Sequence, residues 1–390
     1  MNTKELYTED ACCGCGACVV KCPKGAVSIK TNEFGFVYPF IDSNRCIDCK
    51  ACKNVCSFNN EKKINKYKCY AGGNQDDNLL MKSASGGIFS AIAYRFIEEG
   101  GYVCGSASFF EHGEVRIEHI IINSLENLYK LQGSKYVQSD IVNCLRKIGE
   151  LMKKGFKVLF SGTPCQVEAV KSLYGRYSGT LLFTIDIICH GVPSQSLFNG
   201  YLKEYQKRKK QELTYIDFRN KKYGWGLTGI ARFKNGDEET VTPEKSSYYR
   251  YFLDGEIYRE NCYKCPYANL NRVGYITIGD YWGVEQYNPE LLNKGKLSEK
   301  KGISCLLINN NIGEKMLNEY GSQLVVYPIQ ISKVLIRNTQ LKEPAQHSEK
   351  RQRLLKKFKD NGYGSIEKFF YREVLWGKTK SIIKKAIHRN

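Results

Sequence analysis

Cysteine carries the clearest chemical signal in this sequence, because eight of its seventeen fall into one rhythm. Cys12, Cys15, Cys18 and Cys22, followed by Pro23, are echoed by Cys46, Cys49, Cys52 and Cys56, giving two copies of C-x2-C-x2-C-x3-C. Three closely spaced thiolates can take three irons of one cubane, and the fourth iron is held from the other run. The spacing therefore predicts one [4Fe-4S] cluster on Cys12, Cys15, Cys18 and Cys56 and a second on Cys46, Cys49, Cys52 and Cys22. Two structural zinc sites are the rival reading, since C-x2-C pairs also suit zinc. The doubled rhythm favours iron and sulfur. Cys13 lies off the rhythm and is assigned no role.

A second set of thiols is dispersed. Cys165 sits in Gly162-Thr163-Pro164-Cys165-Gln166 after a strand-like run, Cys189 in Cys189-His190-Gly191 after another, and Cys262 and Cys265 form a C-x2-C pair. Loops at the carboxyl ends of sheet strands are where α/β sites collect. Gly162 and Thr163 are accordingly candidate cofactor contacts, and Cys165, Cys189, Cys262 and Cys265 candidate ligands of a third [4Fe-4S] cluster. The same four could hold a zinc, lie buried without ligand, or supply a redox-active C-x-x-C pair. His190, next to a candidate ligand, could donate to a substrate or simply satisfy its loop. Cys69, Cys104, Cys144 and Cys305 lie in apolar or helical runs and read as small buried hydrophobes.

The elements that must position these groups follow from periodicity. Ser83-Ala84-Ser85-Gly86-Gly87 runs into a helical pattern over Ile88–Ile97. Small residues there leave the first helical N–H groups open to an anion, with serine capping as the ordinary alternative. Gln132–Tyr136 reads as a loop that carries Ser134 and Lys135, the lysine suited to an anionic group. Strand-like runs over 101–105, 114–122, 157–162, 180–188, 302–308 and 324–327 alternate with helical ones, which argues for a mixed α/β (α+β) layer architecture. Residues 216–241, with the Asn235-Gly236 turn, read instead as an antiparallel insertion. The implied organisation is a bacterial-type two-cluster ferredoxin module over 1–60, a polar linker near 59–68, a mixed α/β region in two parts, 65–155 and 156–345, and a basic helical tail over 346–390.

At 390 residues the chain is too long for a ferredoxin alone. Its formal charge of +19 falls by about 2 for each oxidised cubane and its thiolates. The surplus suits a ferredoxin or another acidic electron-transfer protein, or an anionic small-molecule substrate. No zinc-finger, helix-turn-helix or RNP pattern supports nucleic acid. No apolar run approaches 18 residues, which speaks against a transmembrane segment. The polar start without a following apolar run and the thiol-rich composition point to a reducing, cytoplasmic setting. The closing stretch Val374–Ile387 sets Trp376, Ile382, Ile383 and Ile387 against Lys378, Lys380, Lys384 and Lys385. It could touch an anionic membrane surface, though packing by one face is the plainer reading.

Taken together, the cysteine runs with SASGG, GTPCQ, CHGVPS, NCYKCPYAN and GDYWG resemble the coenzyme F420 hydrogenase/dehydrogenase beta-subunit family, over nearly the whole chain except its tail. That resemblance implies a flavin-binding catalytic region with FAD and a [4Fe-4S] cluster, the cluster on Cys165, Cys189, Cys262 and Cys265. It makes Ser85, Gly86, Gly87, Ser134 and Lys135 the expected flavin neighbourhood. Lys135, Arg219 or Lys221 would counter negative charge on flavin or substrate, and His190 or Asp280 would handle protons. The expected activity is reduction of a small organic substrate by electrons from ferredoxin, in a polysaccharide or cofactor pathway, since the composition hints at a bacterium in which F420 is often absent. The alternatives are an F420-oxidising or -reducing beta subunit of a larger hydrogenase or dehydrogenase, with F420 itself as substrate, and a non-catalytic electron carrier.

Overall fold

The computed structural model describes residues 3–59, 67–292 and 296–387. Most of the proposed linker near 59–68 lies outside them. The N-terminal module is built on β1 (Thr3–Glu5), β2 (Val27–Thr31) and β3 (Val37–Asp42), an antiparallel sheet in the order β1-β3-β2. Each cysteine run then turns through two left-handed residues and enters a short helix. In the first run these are Gly14 (φ 67°) and Gly16 (φ 73°), before Ala17–Lys21; in the second, Asp48 (φ 57°) and Lys50 (φ 56°), before Ala51–Asn54. Both runs thus follow one backbone path, although only the first uses the residue that adopts it without strain.

The larger body is organised by one eight-stranded sheet. Its strands are β4 (Lys68–Asn74), β5 (Tyr102–Glu111), β6 (Glu114–Ile122), β7 (Val158–Gly162), β8 (Leu182–Ile187), β12 (Ile276–Asp280), β13 (Ser304–Ile308) and β14 (Leu324–Pro328). They lie in the order β14-β4-β13-β12-β8-β7-β5-β6. The four central neighbours β5, β7, β8 and β12 are parallel, while the flanking pairs are antiparallel. Strands from both 65–155 and 156–345 contribute, so the sheet runs straight through that expected boundary.

Parallel central strands must be covered on both faces. Helices Ile88–Glu98 and Asn311–Tyr320 pack Ile88, Ile92, Phe96, Met316 and Tyr320 on one face, against Leu159, Phe183 and Ile185. Val142–Lys153 and Pro164–Tyr174 cover the other through Leu145, Ile148, Val167 and Val170. Leu125–Leu131 forms a 3-10 helix.

The antiparallel insertion is present as β9 (Leu213–Ile216), β10 (Gly229–Phe233) and β11 (Glu238–Val241), in the order β11-β10-β9. It shares an aromatic core with helices Gln195–Lys209 and Ser247–Leu253, through Phe198, Tyr201, Phe218, Tyr248 and Tyr249. Phe36 and Tyr38 of the module enter the same core. So do Leu354, Tyr363, Ile366 and Phe370, from helices Glu349–Asn361 and Tyr363–Ile387. The tail over 346–390 is therefore part of the packed body for much of its length, rather than an appendage. The side chains from 377 onward, on which the membrane-facing stripe depended, lie outside the described residues. No described helix is long and apolar enough to cross a membrane.

Candidate functional site

Three parallel strands deliver their carboxyl ends to one place. The chain leaves β7 through Gly162 and Thr163 into helix Pro164–Tyr174, where Thr163 and Gln166 form a capping box. It leaves β8 towards Cys189 and His190, and β12 at Asp280. The β8 exit is braced by a fully buried ion pair: Arg272 lies 3.4 Å from Asp186 and donates to the Ile187 carbonyl at 3.0 Å. These loops surround a cavity of about 460 Å³.

Outside the module cysteines, the cavity gathers most of the residues singled out in the sequence, though not Cys262 or Cys265. Ser85 and Gly87 line it from one side, Ser134 and Lys135 from another, and Gly162, Thr163, Cys165, Cys189, His190, Arg219 and Asp280 from the strand ends. Gly87 begins helix Ile88–Glu98 in the left-handed conformation, and no side chain caps that N-terminus. The serines do other work: Ser83 donates to the Leu79 carbonyl and Ser85 to that of Ile303. The first helical N–H groups therefore remain available to an anion beside the cavity.

Two predicted residues have different places. Gly86 is buried behind the wall, its N–H donating to Ser304 Oγ at 2.9 Å. Lys221 is also buried and does not line the cavity. Its ammonium donates to the carbonyls of Leu80 (2.7 Å) and Ser85 (2.5 Å), tying down the serine–glycine loop, and burial pushes it down to about 7. Arg219 does reach the cavity but is already paired with Asp280 (2.8 and 3.1 Å), while donating to the Ala84 carbonyl. Trp282 stacks against Trp225 at 4.4 Å and lies under the Arg219 guanidinium. Trp225 Nε1 donates to Asp280 at 3.3 Å. Asp280 thus anchors an arginine and an indole.

Lys135 makes no carboxylate ion pair among the described residues. It donates to the carbonyls of Gln132 (2.6 Å) and Lys130 (3.1 Å), and burial pushes it down to about 7. Burial also lowers His190. A second histidine, not singled out from the sequence, lines the same cavity: His119 bonds Ser139 Oγ (2.7 Å) and the Ser161 carbonyl (3.0 Å), and burial pushes it down to about 4. It sits on the alternating strand β6, whose pattern sends every second residue inward.

The thiols fall into three groups. Cys22, Cys46, Cys49 and Cys52 line a separate cavity of about 80 Å³ near the surface. Burial pushes Cys12 up to about 11 and Cys18 further, with Cys15 and Cys56 among the neighbours that add to both shifts. The fourth cysteine of each run therefore sits with the first three of the other. Backbone N–H groups already point at two sulfurs, Gly14 at Cys12 (3.4 Å) and Ala26 at Cys22 (3.2 Å), an arrangement that favours thiolate. In the interior, burial pushes Cys189 well up, and Cys262, Cys165 and Cys265 add to it. Among the described residues, no three His, Cys, Asp or Glu side chains are placed to share a single metal ion. A cubane, whose four irons occupy separate corners, asks for a wider set.

Cys13 and Arg259 were not found from the sequence. The buried Cys13 thiol lies beside both Cys15 and Cys165, and its proximity lowers Cys165 to about 7. It also lines the large cavity. No motif marks either residue: Cys13 lies off the cysteine rhythm, and the side-chain partners of Arg259 are far away in the chain.

This combination of a two-run cysteine module with a cavity-bearing α/β body defines an oxidoreductase of the iron–sulfur class. Residues 155–334 match the family described as the C terminus of the coenzyme F420 hydrogenase/dehydrogenase beta subunit, and residues 11–60 match the 4Fe-4S dicluster domain. The chain thus carries the C-terminal region of the F420 hydrogenase/dehydrogenase beta-subunit family over residues 155–334, behind an N-terminal 4Fe-4S domain. Among its relatives is an F(420)H(2) dehydrogenase subunit of Methanosarcina mazei, 22% identical over 71% of this chain and 79% of that protein. An uncharacterised protein of Methanocaldococcus jannaschii is 24% identical over 80% of this chain and 87% of that protein. A chain in a solved structure of the F420-reducing [NiFe] hydrogenase complex from Methanosarcina barkeri is 16% identical, with a TM-score of 0.48 over 75% of this chain and 93% of that one.

Proposed function

We propose that this protein moves electrons between an external redox partner and a flavin, FAD, held in the 460 Å³ cavity, by way of three [4Fe-4S] clusters. A flavin held there would supply hydride chemistry towards a small organic substrate. The observation that carries the reading is a junction: one cavity reaches Cys165 and Cys189 of the interior thiol group and also the uncapped helix N-terminus at Gly87. A flavin supplies the step between hydride chemistry and single electrons.

The chain's own residues bind and orient. The N–H groups after Gly87 and the Lys135 ammonium suit the anionic part of a dinucleotide. Arg219, held by Asp280, and the Trp225–Trp282 stack form a fixed wall. His190 is available for a proton; Asp280, committed to Arg219 and Trp225, acts by positioning them. Cys12, Cys15, Cys18 and Cys56 would ligate one cluster, Cys46, Cys49, Cys52 and Cys22 the second, and Cys165, Cys189, Cys262 and Cys265 the third.

The relatives favour the beta-subunit reading over a stand-alone reductase of a polysaccharide or cofactor pathway, because the named one is a subunit of an F420H2 dehydrogenase. We accordingly take deazaflavin F420 as the first substrate to test and a larger hydrogenase or dehydrogenase assembly as the setting. The deciding experiment is anaerobic purification with counts of iron, sulfide and flavin, then dithionite titration and reoxidation by F420. About twelve irons and one FAD per chain are expected from the three four-iron sets. Eight irons without flavin would remove the third cluster and the hydride chemistry together.

A further inference from the structure

Four arginines are buried among the described residues, and three have a carboxylate. Arg219 pairs with Asp280 at 2.8 Å, Arg272 with Asp186 at 3.4 Å and Arg351 with Glu260 at 3.0 Å. Arg259 is the most deeply buried of them, with 0% exposure, and among the described residues no carboxylate is within ion-pair distance. Its guanidinium donates to the Cys12 carbonyl (2.8 Å), the Val37 carbonyl (2.6 Å) and Gln138 Oε1 (3.1 Å), and lies 4.2 Å from the centre of the Tyr38 ring. Neutral acceptors satisfy its protons without neutralising its charge. A buried cation in that state is unfavourable unless an anion completes the site.

The groups around it indicate which anion. Cys12 lies on one side, its carbonyl accepting from the guanidinium, and Cys262 on the other, three residues along the chain from Arg259. Its backbone belongs to the interior side. The Arg259 N–H donates to the Val192 carbonyl (2.9 Å), in the loop after Cys189, while its carbonyl accepts from Cys262 N–H (3.0 Å). The side chain crosses to the module. Room for it depends on Gly14, where a Cβ would come within 2.9 Å of the guanidinium and 2.8 Å of Gln138. Cys13, next to Cys12 in the chain, lines the same cavity as Cys165 and Cys189, and its carbonyl accepts from Gln138, which Arg259 also binds.

We propose that Arg259 is the shared counter-ion of two cluster sites, Cys12/Cys15/Cys18/Cys56 in the module and Cys165/Cys189/Cys262/Cys265 in the body. It is a positioning residue that joins the two sites and keeps both easier to reduce. A fixed positive charge stabilises the more negative, reduced state of each site, and low surrounding polarity strengthens the effect. The surface site at Cys22, Cys46, Cys49 and Cys52 has no such neighbour among the described residues and should not feel it. The inference rests on the three-cluster reading, and the iron count of the unmodified protein tests that reading separately.

The test is a potentiometric titration of the anaerobic holoprotein, followed by electron paramagnetic resonance, for Arg259→Met and Arg259→Lys. In Arg259→Met the reduction equilibrium of these two clusters should shift at least tenfold towards the oxidised form, equivalent to about 59 mV for one electron, with the surface cluster unmoved. Arg259→Lys keeps the charge but loses the three-way fork, and should hold both potentials within about threefold of the parent equilibrium. Unchanged potentials in a fully loaded Arg259→Met protein would overturn the proposal. If Arg259→Met does not take up iron, Arg259→Lys decides: full loading with near-parent potentials supports a counter-ion, whereas failure of both variants to load would mean a requirement for shape alone and overturn it.

Discussion

The surface thiol site and the interior one differ in almost everything but ligand type. Cys49 is the one exposed cysteine, and beside it Ile47 is 58% exposed. Around them stand the exposed cations Lys21, Lys24, Arg45 and Lys50, against one exposed carboxylate, Asp48. The interior group of Cys165, Cys189, Cys262 and Cys265 is half-buried, meets the cavity through Cys165 and Cys189, and has the buried Arg259 three residues from Cys262. Under the proposed three-cluster reading the contrast suits an electron path, with one end that another protein can approach and one end at the cavity. The Cys12 site, touching the interior group through Cys13, connects them.

The largest effect should come from breaking the interior end. Cys262→Ser is expected to remove four irons per chain and abolish cluster-to-flavin transfer, while the module keeps its spectrum; anaerobic iron analysis and single-turnover absorbance would check it. Intact transfer in a protein short of four irons would mean that the module feeds the flavin directly. Next in size is the exposed end. Reversing charge at Lys24 and Arg45 together should slow reduction by an acidic donor protein about tenfold at low salt and flatten its salt dependence. Reduction by dithionite should be much less affected. An equal rate for the two proteins at low salt would move the docking face elsewhere.

A smaller, graded effect distinguishes the cavity from both metal ends. Burial holds Lys135 down to about 7, so its ammonium is largely formed below that pH and lost above it. An anionic ligand gains from the charged form. Flavin-stripped protein should therefore bind FAD up to about tenfold more tightly at pH 6 than at pH 8. Lys135→Met should flatten the profile near its weaker limit. Isothermal titration at the two pH values tests this, and a profile that survives the substitution would transfer the effect to another group, with His190 the nearest alternative.

How much of this could be read from the chain depended on the range of the interaction. The eight module cysteines were legible because spacing along a short segment fixes how they converge. Cys165 and Cys189 were legible at one remove, since each follows a strand run and parallel strands end together. Lys221 was misplaced because nothing local says whether a lysine in an insertion faces a cavity or two carbonyls behind its wall. The tail was read by its charge, although Leu354, Leu355, Tyr363, Ile366 and Phe370 carry an apolar spacing that marks a packed face. Arg259 had no local signal at all: its partners Cys12, Val37 and Gln138 are more than a hundred residues away.

The smallest prediction asks whether the two cysteine runs share the path drawn for them. Gly16 and Lys50 occupy equivalent left-handed positions, φ 73° and 56°. The lysine bears a steric cost of about 1–2 kcal/mol there, partly offset because it has less chain freedom to lose on folding than glycine. Lys50→Gly should therefore stabilise the module by about 0.5–1 kcal/mol. Gly16→Ala should do the opposite and by more, since its new methyl group would also strike the Val142 side chain. Thermal unfolding of the anaerobic holoprotein should show the two substitutions moving the midpoint in opposite directions. If Lys50→Gly lowers it, the lysine is held there by contacts of its own, and the likeness of the runs ends at their cysteines.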